Sequence, residues 1–175
     1  VDLSDVQCLL DLKIKYNMAI AEEGLRRDYG ANIGNVLLKS YEDLASLHDE
    51  NSILLKCRAY AAAGSDARMS GCELPVIINS GSGNQGMTIT LPFCEYAQFW
   101  NVDHDTMLRE LAMANLISVH IKRHIGNLSA FCGAVSAGCA AACSIAWMDG
   151  CSYEQICMCI TNTLCNVGVI VCDGA

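Results

Sequence analysis

The sequence predicts an all-α protein, a compact bundle in which outer helices sheath a buried helix of small residues. Apolar residues recur at three- and four-residue spacing through most of the 175 positions, the signature of amphipathic helices. Only two prolines are present, few for a loop-rich β-sandwich. Periodicity fails in one short glycine-rich stretch, residues 71–86, where a short extended piece near Val76–Ile78 is expected. A chain of this length suits a single domain, residues 1–175, with ample core.

Taken in order, Asp2 to Arg27 reads as a helix, with Val6, Leu9, Leu10, Ile14, Met18 and Ala21 on one face. Gly30 and Gly34 punctuate the following turn, and Asn35 to His48 forms a second helix. Ser52 to Arg68 is a third, rich in alanine, with Asp66 and Arg68 expected to pair at its end. After the glycine-rich loop, helical periodicity resumes at Met87 and runs to Trp100, where Pro92 should kink the helix or mark a restart. Asp103 to His124 follows, with Asp103 or Asp105 as its cap. The small-residue helix and a last helix, Ser152 to Leu164, complete the set.

Charge and cysteine usage exclude several classes. The formal net charge of -8 argues against a nucleic-acid footprint, which needs clustered Lys and Arg. With 53% hydrophobic and 17% charged residues, the chain is not disordered. Leu128 to Met148 carries no charge, yet it is built from Ala, Gly, Ser and Cys, so it gains little from lipid and no membrane partner is expected. Twelve cysteines without any CxxC, many inside apolar helices (Cys94, Cys139, Cys143, Cys157), fit small hydrophobes in a reducing cytoplasm better than a disulfide or zinc framework. The chain opens on Val1-Asp2 without a methionine and stops at Cys-Asp-Gly-Ala, which leads us to expect a fragment of a longer protein.

Three groups of residues offer chemistry. In Ser80-Gly81-Ser82-Gly83-Asn84-Gln85-Gly86, glycines permit close backbone approach while hydroxyls, amides and helix-start N–H groups make an anion receptor for a carboxylate or phosphate. The alternative is a capped, flexible turn. Cys132, Ser136, Cys139 and Cys143 form one stripe of the small-residue helix, and Gly126, Ala130, Ala134, Gly138, Ala142 and Ala146 form a second that would admit a close neighbouring helix. Cys132 stands out because a thiolate at a helix start gains from the N-terminal dipoles. Cys172 sits in an Asp-Gly turn context. Finally, His120 and His124 share a helix face, either as a metal pair or as a solvated, hydrogen-bonded pair.

The stretches AYAAAGSDARMSGCELPVIINSGSGNQGMTITLP, IKRHIGNLSAFCGAVSAGCAAAC and VGVIVCDGA together resemble the L-cysteine desulfidase family, which is related to the alpha chain of iron–sulfur L-serine dehydratases. The resemblance spans nearly the whole chain, and SGSGNQG, LSAFCGA and CDGA in this order form a specific signature. It implies a [4Fe-4S] lyase, independent of pyridoxal phosphate, that converts L-cysteine to pyruvate, ammonia and sulfide. Alternatives are an L-serine dehydratase, or a catalytically silent member that binds an amino acid or partner. The resemblance implies that Cys132 and Cys172 are two of three cluster ligands, with the third upstream of this chain, and that one iron stays open. It makes the chain the C-terminal portion of the catalytic domain, inactive alone. On this reading Ser80, Ser82 and Asn84 hold the substrate carboxylate, while the proton acceptor stays open between His120, a cluster-bound group and an upstream group. Apolar faces left uncovered are expected to favour a homodimer.

Overall fold

Helix start signals in the sequence are used almost as written. In the computed structural model, which describes residues 2–126, 129–168 and 170–171, α1 (Leu3–Arg26) begins at Asp2, whose carboxylate accepts from the Ser4 N–H. Asp49 and Ser52 form a reciprocal capping box for α4 (Glu50–Met69), and Ser152 and Gln155 form another for α8 (Tyr153–Val167). Asp103, not Asp105, caps α6 (His104–Ile125) by accepting from the Thr106 N–H at 3.0 Å. The remaining elements are α2 (Ile33–Ser40), the short α3 (Glu42–Ala45), α5 (Gly83–Phe99) and α7 (Gly133–Met148). Among the described residues the eight helices pack without any β-strand, as an all-α bundle.

Three sequence expectations change. The helix expected over 35–48 is two, because Tyr41 leaves helical dihedrals (φ -129°, ψ 41°), and Glu42 and Asp43 place two carboxylates where a new N-terminus favours them. Asp66 and Arg68 do not pair. Asp66 instead accepts from the Ile33 N–H at 2.7 Å, capping α2 from a distance, since the side chain of α2's own N-cap, Asn32, makes no capping bond. Pro92 neither ends nor restarts α5, which begins four residues earlier than periodicity suggests and continues through it.

The most enclosed element is α5. It contributes Ile89 and Phe93 to a cluster with Leu10, Leu108, Leu111 and Ala137, and Met87 and Leu91 to a second with Ile20, Ala21 and Ala67. Residues two apart therefore face opposite clusters, and α5 is buried on both sides. A third cluster joins Cys139 and Cys143 of α7 to Ile121 and Ile156. Cys139 and Cys143 thus serve as core, as do Cys57 and Cys94, whose thiols burial pushes up to about 12. The alanine stripe of α7 takes its neighbours only in part: Ala134 and Ala142 are exposed, Ala146 packs against the third cluster, and a Cβ built on Gly138 would meet the Thr88 methyl of α5 at 3.9 Å. The buried face of α7 is the adjacent one, through Ser136, Ala137, Ala140 and Ser144.

Candidate functional site

The glycine-rich loop is held from α1 and α6. Asn17, fully buried, accepts from the Ile77 N–H at 2.9 Å and donates to the Ile77 carbonyl at 3.1 Å, so one side-chain amide satisfies both backbone groups of an extended residue. Lys13 donates to Asn115 Oδ1 and to the Ile78 carbonyl, while Asn79 bonds Asn115 at 2.9 Å and accepts from Ser118 at 2.9 Å. Truncating Asn17 would strand the Ile77 N–H and C=O inside the protein. Asn17→Ala is expected to cost about 2–3 kcal/mol by denaturant titration.

Lys13 is only 3% exposed, and burial pushes its ammonium down to about 8 from 10.5. Between these values the folded chain binds fewer protons at Lys13 than the unfolded chain does, so unfolding takes up protons and stability rises with pH. The Lys13 contribution alone is expected to climb by up to about 3 kcal/mol from pH 8 to above pH 10, against the opposite contribution of the buried Cys57 and Cys94 thiols. Unfolding titrations across that range should show this component missing in Lys13→Met.

The loop then reverses. Asn79 and Ser82 exchange both backbone hydrogen bonds (3.1 and 3.0 Å) around Ser80 and Gly81, which both have positive φ (45° and 87°), as a type I′ turn requires. Ser82 is the N-cap of α5, yet its side chain makes no capping bond. Gly86 is required here by proximity: a Cβ would stand 2.0 Å from the Ile77 carbonyl oxygen. Asn84 accepts from Arg68 at 3.1 Å, which orients its amide and leaves its N–H₂ as donor.

Cys132 lies at the start of α7 as expected, in the N-cap position, and its side chain likewise makes no capping bond. The two helix starts meet. Gln85, in the first turn of α5, packs so closely on Gly133 that a Cβ there would lie 2.1 Å from its amide nitrogen. Gln85 is buried, and its Oε1 has no hydrogen-bond partner among the described residues. Two N-terminal dipoles, neither neutralised by its own cap, therefore meet beside one thiol.

A cavity of about 590 Å³ opens at Cys132, lined also by His120, His124, Phe131, Val135 and Ser136. The imidazoles of His120 and His124 meet edge to face, with centroids 5.4 Å apart. Opposite, Val171 pairs with Phe131 in an antiparallel bridge, and the Cys132 N–H donates to the Ile170 carbonyl at 2.9 Å. Each expected ligand cysteine is thus the next residue after a bridged partner, although Cys172 itself lies outside the described residues. Among those residues, no three His, Cys, Asp or Glu side chains form a metal-binding group. Cys132 fits an iron–sulfur cluster as one soft thiolate donor of a larger set, in a position where helix dipoles offset the cluster's negative charge.

Not all the sequence candidates converge. Ser80 lines a different cavity of about 410 Å³ between α1 and α6, and its Oγ is buried without a partner there. Ser82 and Asn84 lie at the α5 start, next to Gln85. Sequence reasoning passed over Gln85 and did not join His120 and His124 to Cys132. The first was legible as the only long amide of the motif; the second depends on how α6 packs on α7.

A family model described as the serine dehydratase alpha chain matches residues 1–175. The chain belongs to that family. Among its relatives, a UPF0597 protein of Desulfitobacterium hafniense is 51% identical over 175 residues, covering 100% of this chain and 39% of the relative. UPF0597 proteins of Lachnoclostridium phytofermentans (50%) and Fusobacterium nucleatum (43%) align over all of this chain and 40% of their own length. The chain therefore spans about two fifths of the length of the UPF0597 relatives it matches. No solved structure matches it. None of its described helices is long and apolar enough to cross a membrane.

Proposed function

We propose that this serine dehydratase alpha-chain segment supplies part of the active site of a [4Fe-4S]-dependent, pyridoxal-phosphate-free β-eliminating lyase that converts L-cysteine to pyruvate, ammonia and sulfide in a reducing cytoplasm. The observation that supports this reading is the meeting of two uncapped helix starts at Cys132 and Gln85. It is an anion-binding corner with a thiol in it. Cys132 and Cys172 would hold the cluster together with a cysteine outside this chain, the segment being the C-terminal portion of a longer catalytic domain. When bound, the cluster supplies an open iron that polarises the substrate's β-thiol or hydroxyl as a Lewis acid.

This chain's own residues bind and orient the substrate. The first-turn N–H groups of α5, with Ser82 Oγ and Asn84 Nδ2, receive the α-carboxylate, and Arg68 holds the Asn84 amide in its donating orientation. Ser80 contributes through the turn that aims Ser82. The His120 and His124 imidazoles are the cavity's proton acceptors for the α-hydrogen. Elimination leaves aminoacrylate and hydrosulfide; water then converts aminoacrylate to pyruvate and ammonium. The family description supports the alternative in which L-serine, not L-cysteine, is the substrate.

The test is anaerobic reconstitution of the full-length protein with iron and sulfide, followed by pyruvate and sulfide assays. Sulfide and pyruvate from L-cysteine are expected, with kcat/KM for Asn84→Ala down by at least about tenfold. Pyruvate from L-serine alone would make the protein a dehydratase. A cluster-free, inactive protein would leave a silent member that binds an amino acid or a partner.

A further inference from the structure

The opposite end of α5 holds a second polar cavity that the lyase reading does not use. It measures about 280 Å³ and lies between α4 and the C-terminal turns of α5, with Glu95, Lys56, His48 and Phe99 in its wall. At about 1.5 Å per residue, the ten residues from Gln85 to Glu95 place it about 15 Å along α5 from the Cys132 corner.

Glu95 is only 7% exposed, and among the described residues it has neither a hydrogen-bond nor an ion-pair partner. A carboxylate in that position is costly unless a cation reaches it. Burial pushes its carboxyl up, and Lys56 opposes that from across the cavity without approaching within ion-pairing distance. Glu22 adds negative charge from α1 and raises the cost of leaving Glu95 ionised and alone. The cavity wall therefore carries one carboxylate and one lysine side chain, close enough to feel each other but not ion-paired. His48, exposed and tilted against Phe99 at 6.0 Å between ring centroids, lines the cavity as well.

We infer that this cavity binds a small free α-amino acid as its zwitterion, the ligand's ammonium on Glu95 and its carboxylate on Lys56. A molecule carrying both charges on neighbouring atoms bridges the two side chains, which a simple amine or a simple acid cannot do. The volume lies at the lower end of ligand cavities, which selects small side chains. The inference stands apart from the lyase reading, since it involves neither Cys132 nor the glycine-rich loop.

Calorimetric titration of cluster-free Cys132→Ala full-length protein with L-serine and L-alanine tests it, with ethylamine and propionate as single-charge controls. Saturable binding of the amino acids but not of the controls is expected. Glu95→Gln and Lys56→Met, each added separately, should weaken it by at least about tenfold, whereas adding Asn84→Ala should leave it unchanged. Lys56 is half-buried, so its variant tests the site even if Glu95→Gln fails to fold. Absence of saturable binding overturns the inference. So does binding that survives both substitutions, or binding that disappears with Asn84→Ala alone, which would locate the amino acid at the α5 start.

Discussion

Cys132→Ser in the anaerobically reconstituted full-length protein is expected to lose the iron–sulfur absorbance and at least about a hundredfold in activity, since even residues that only support metal ligands are commonly worth ten- to a hundredfold. Compared with the wild type in the cluster-free form, the same variant should fold as well or slightly better. Cys132 occupies the N-cap of α7 without a capping bond, and serine is among the preferred residues there, worth up to about 1 kcal/mol. Chemistry and stability thus move in opposite directions, a pattern that general damage to the fold cannot produce. Absorbance spectra, sulfide production and thermal midpoints together give the answer. A Cys132→Ser protein that keeps its cluster and its activity would remove Cys132 from the ligand set.

Gly86→Ala is expected to cost about 3 kcal/mol of stability. The new Cβ would stand 2.0 Å from the Ile77 oxygen and 3.1 Å from the Ile78 carbonyl carbon, all backbone atoms that Asn17 and Lys13 hold in place. Alanine's better helix propensity, worth roughly 1 kcal/mol over glycine, cannot offset that clash. Gly138→Ala on α7 gains the same propensity and meets only a methyl at 3.9 Å, so it should be neutral or stabilising. Denaturant midpoints of the two variants separate packing from propensity. If Gly86→Ala unfolds with the wild type, the extended segment 77–79 does not cross α5 where the structure has it.

Local chemistry explains why so much of the fold was legible. Asp2, Asp103 and Ser152 are helix starts because their oxygens reach N–H groups two or three residues on, a contact written entirely in neighbouring residues. Cys132 at a helix start was legible for the same reason. Where a partner came from far along the chain, the reading failed. Asp66 reads as half of a local ion pair, yet its carboxylate caps a helix 33 positions away. Pro92 reads as a kink or a restart, and there is no restart, because tertiary burial on both sides of α5 outweighs one lost backbone hydrogen bond. The alanine stripe of α7 reads as a helix contact, yet Ala134 and Ala142 are exposed and the neighbouring stripe carries most of the burial.

By itself the sequence determined the all-α class, most helix boundaries and the family motifs, because capping, periodicity and motif spacing are short-range properties. Only the tertiary structure decided which of those motifs meet. It put Gln85 against Gly133, His120 and His124 in the Cys132 cavity, and Ser80 in a different one. It also put Glu95 and Lys56 in the wall of one cavity without pairing them. The physical reason is that convergence depends on which helix faces bury against each other, a choice made by the whole core at once.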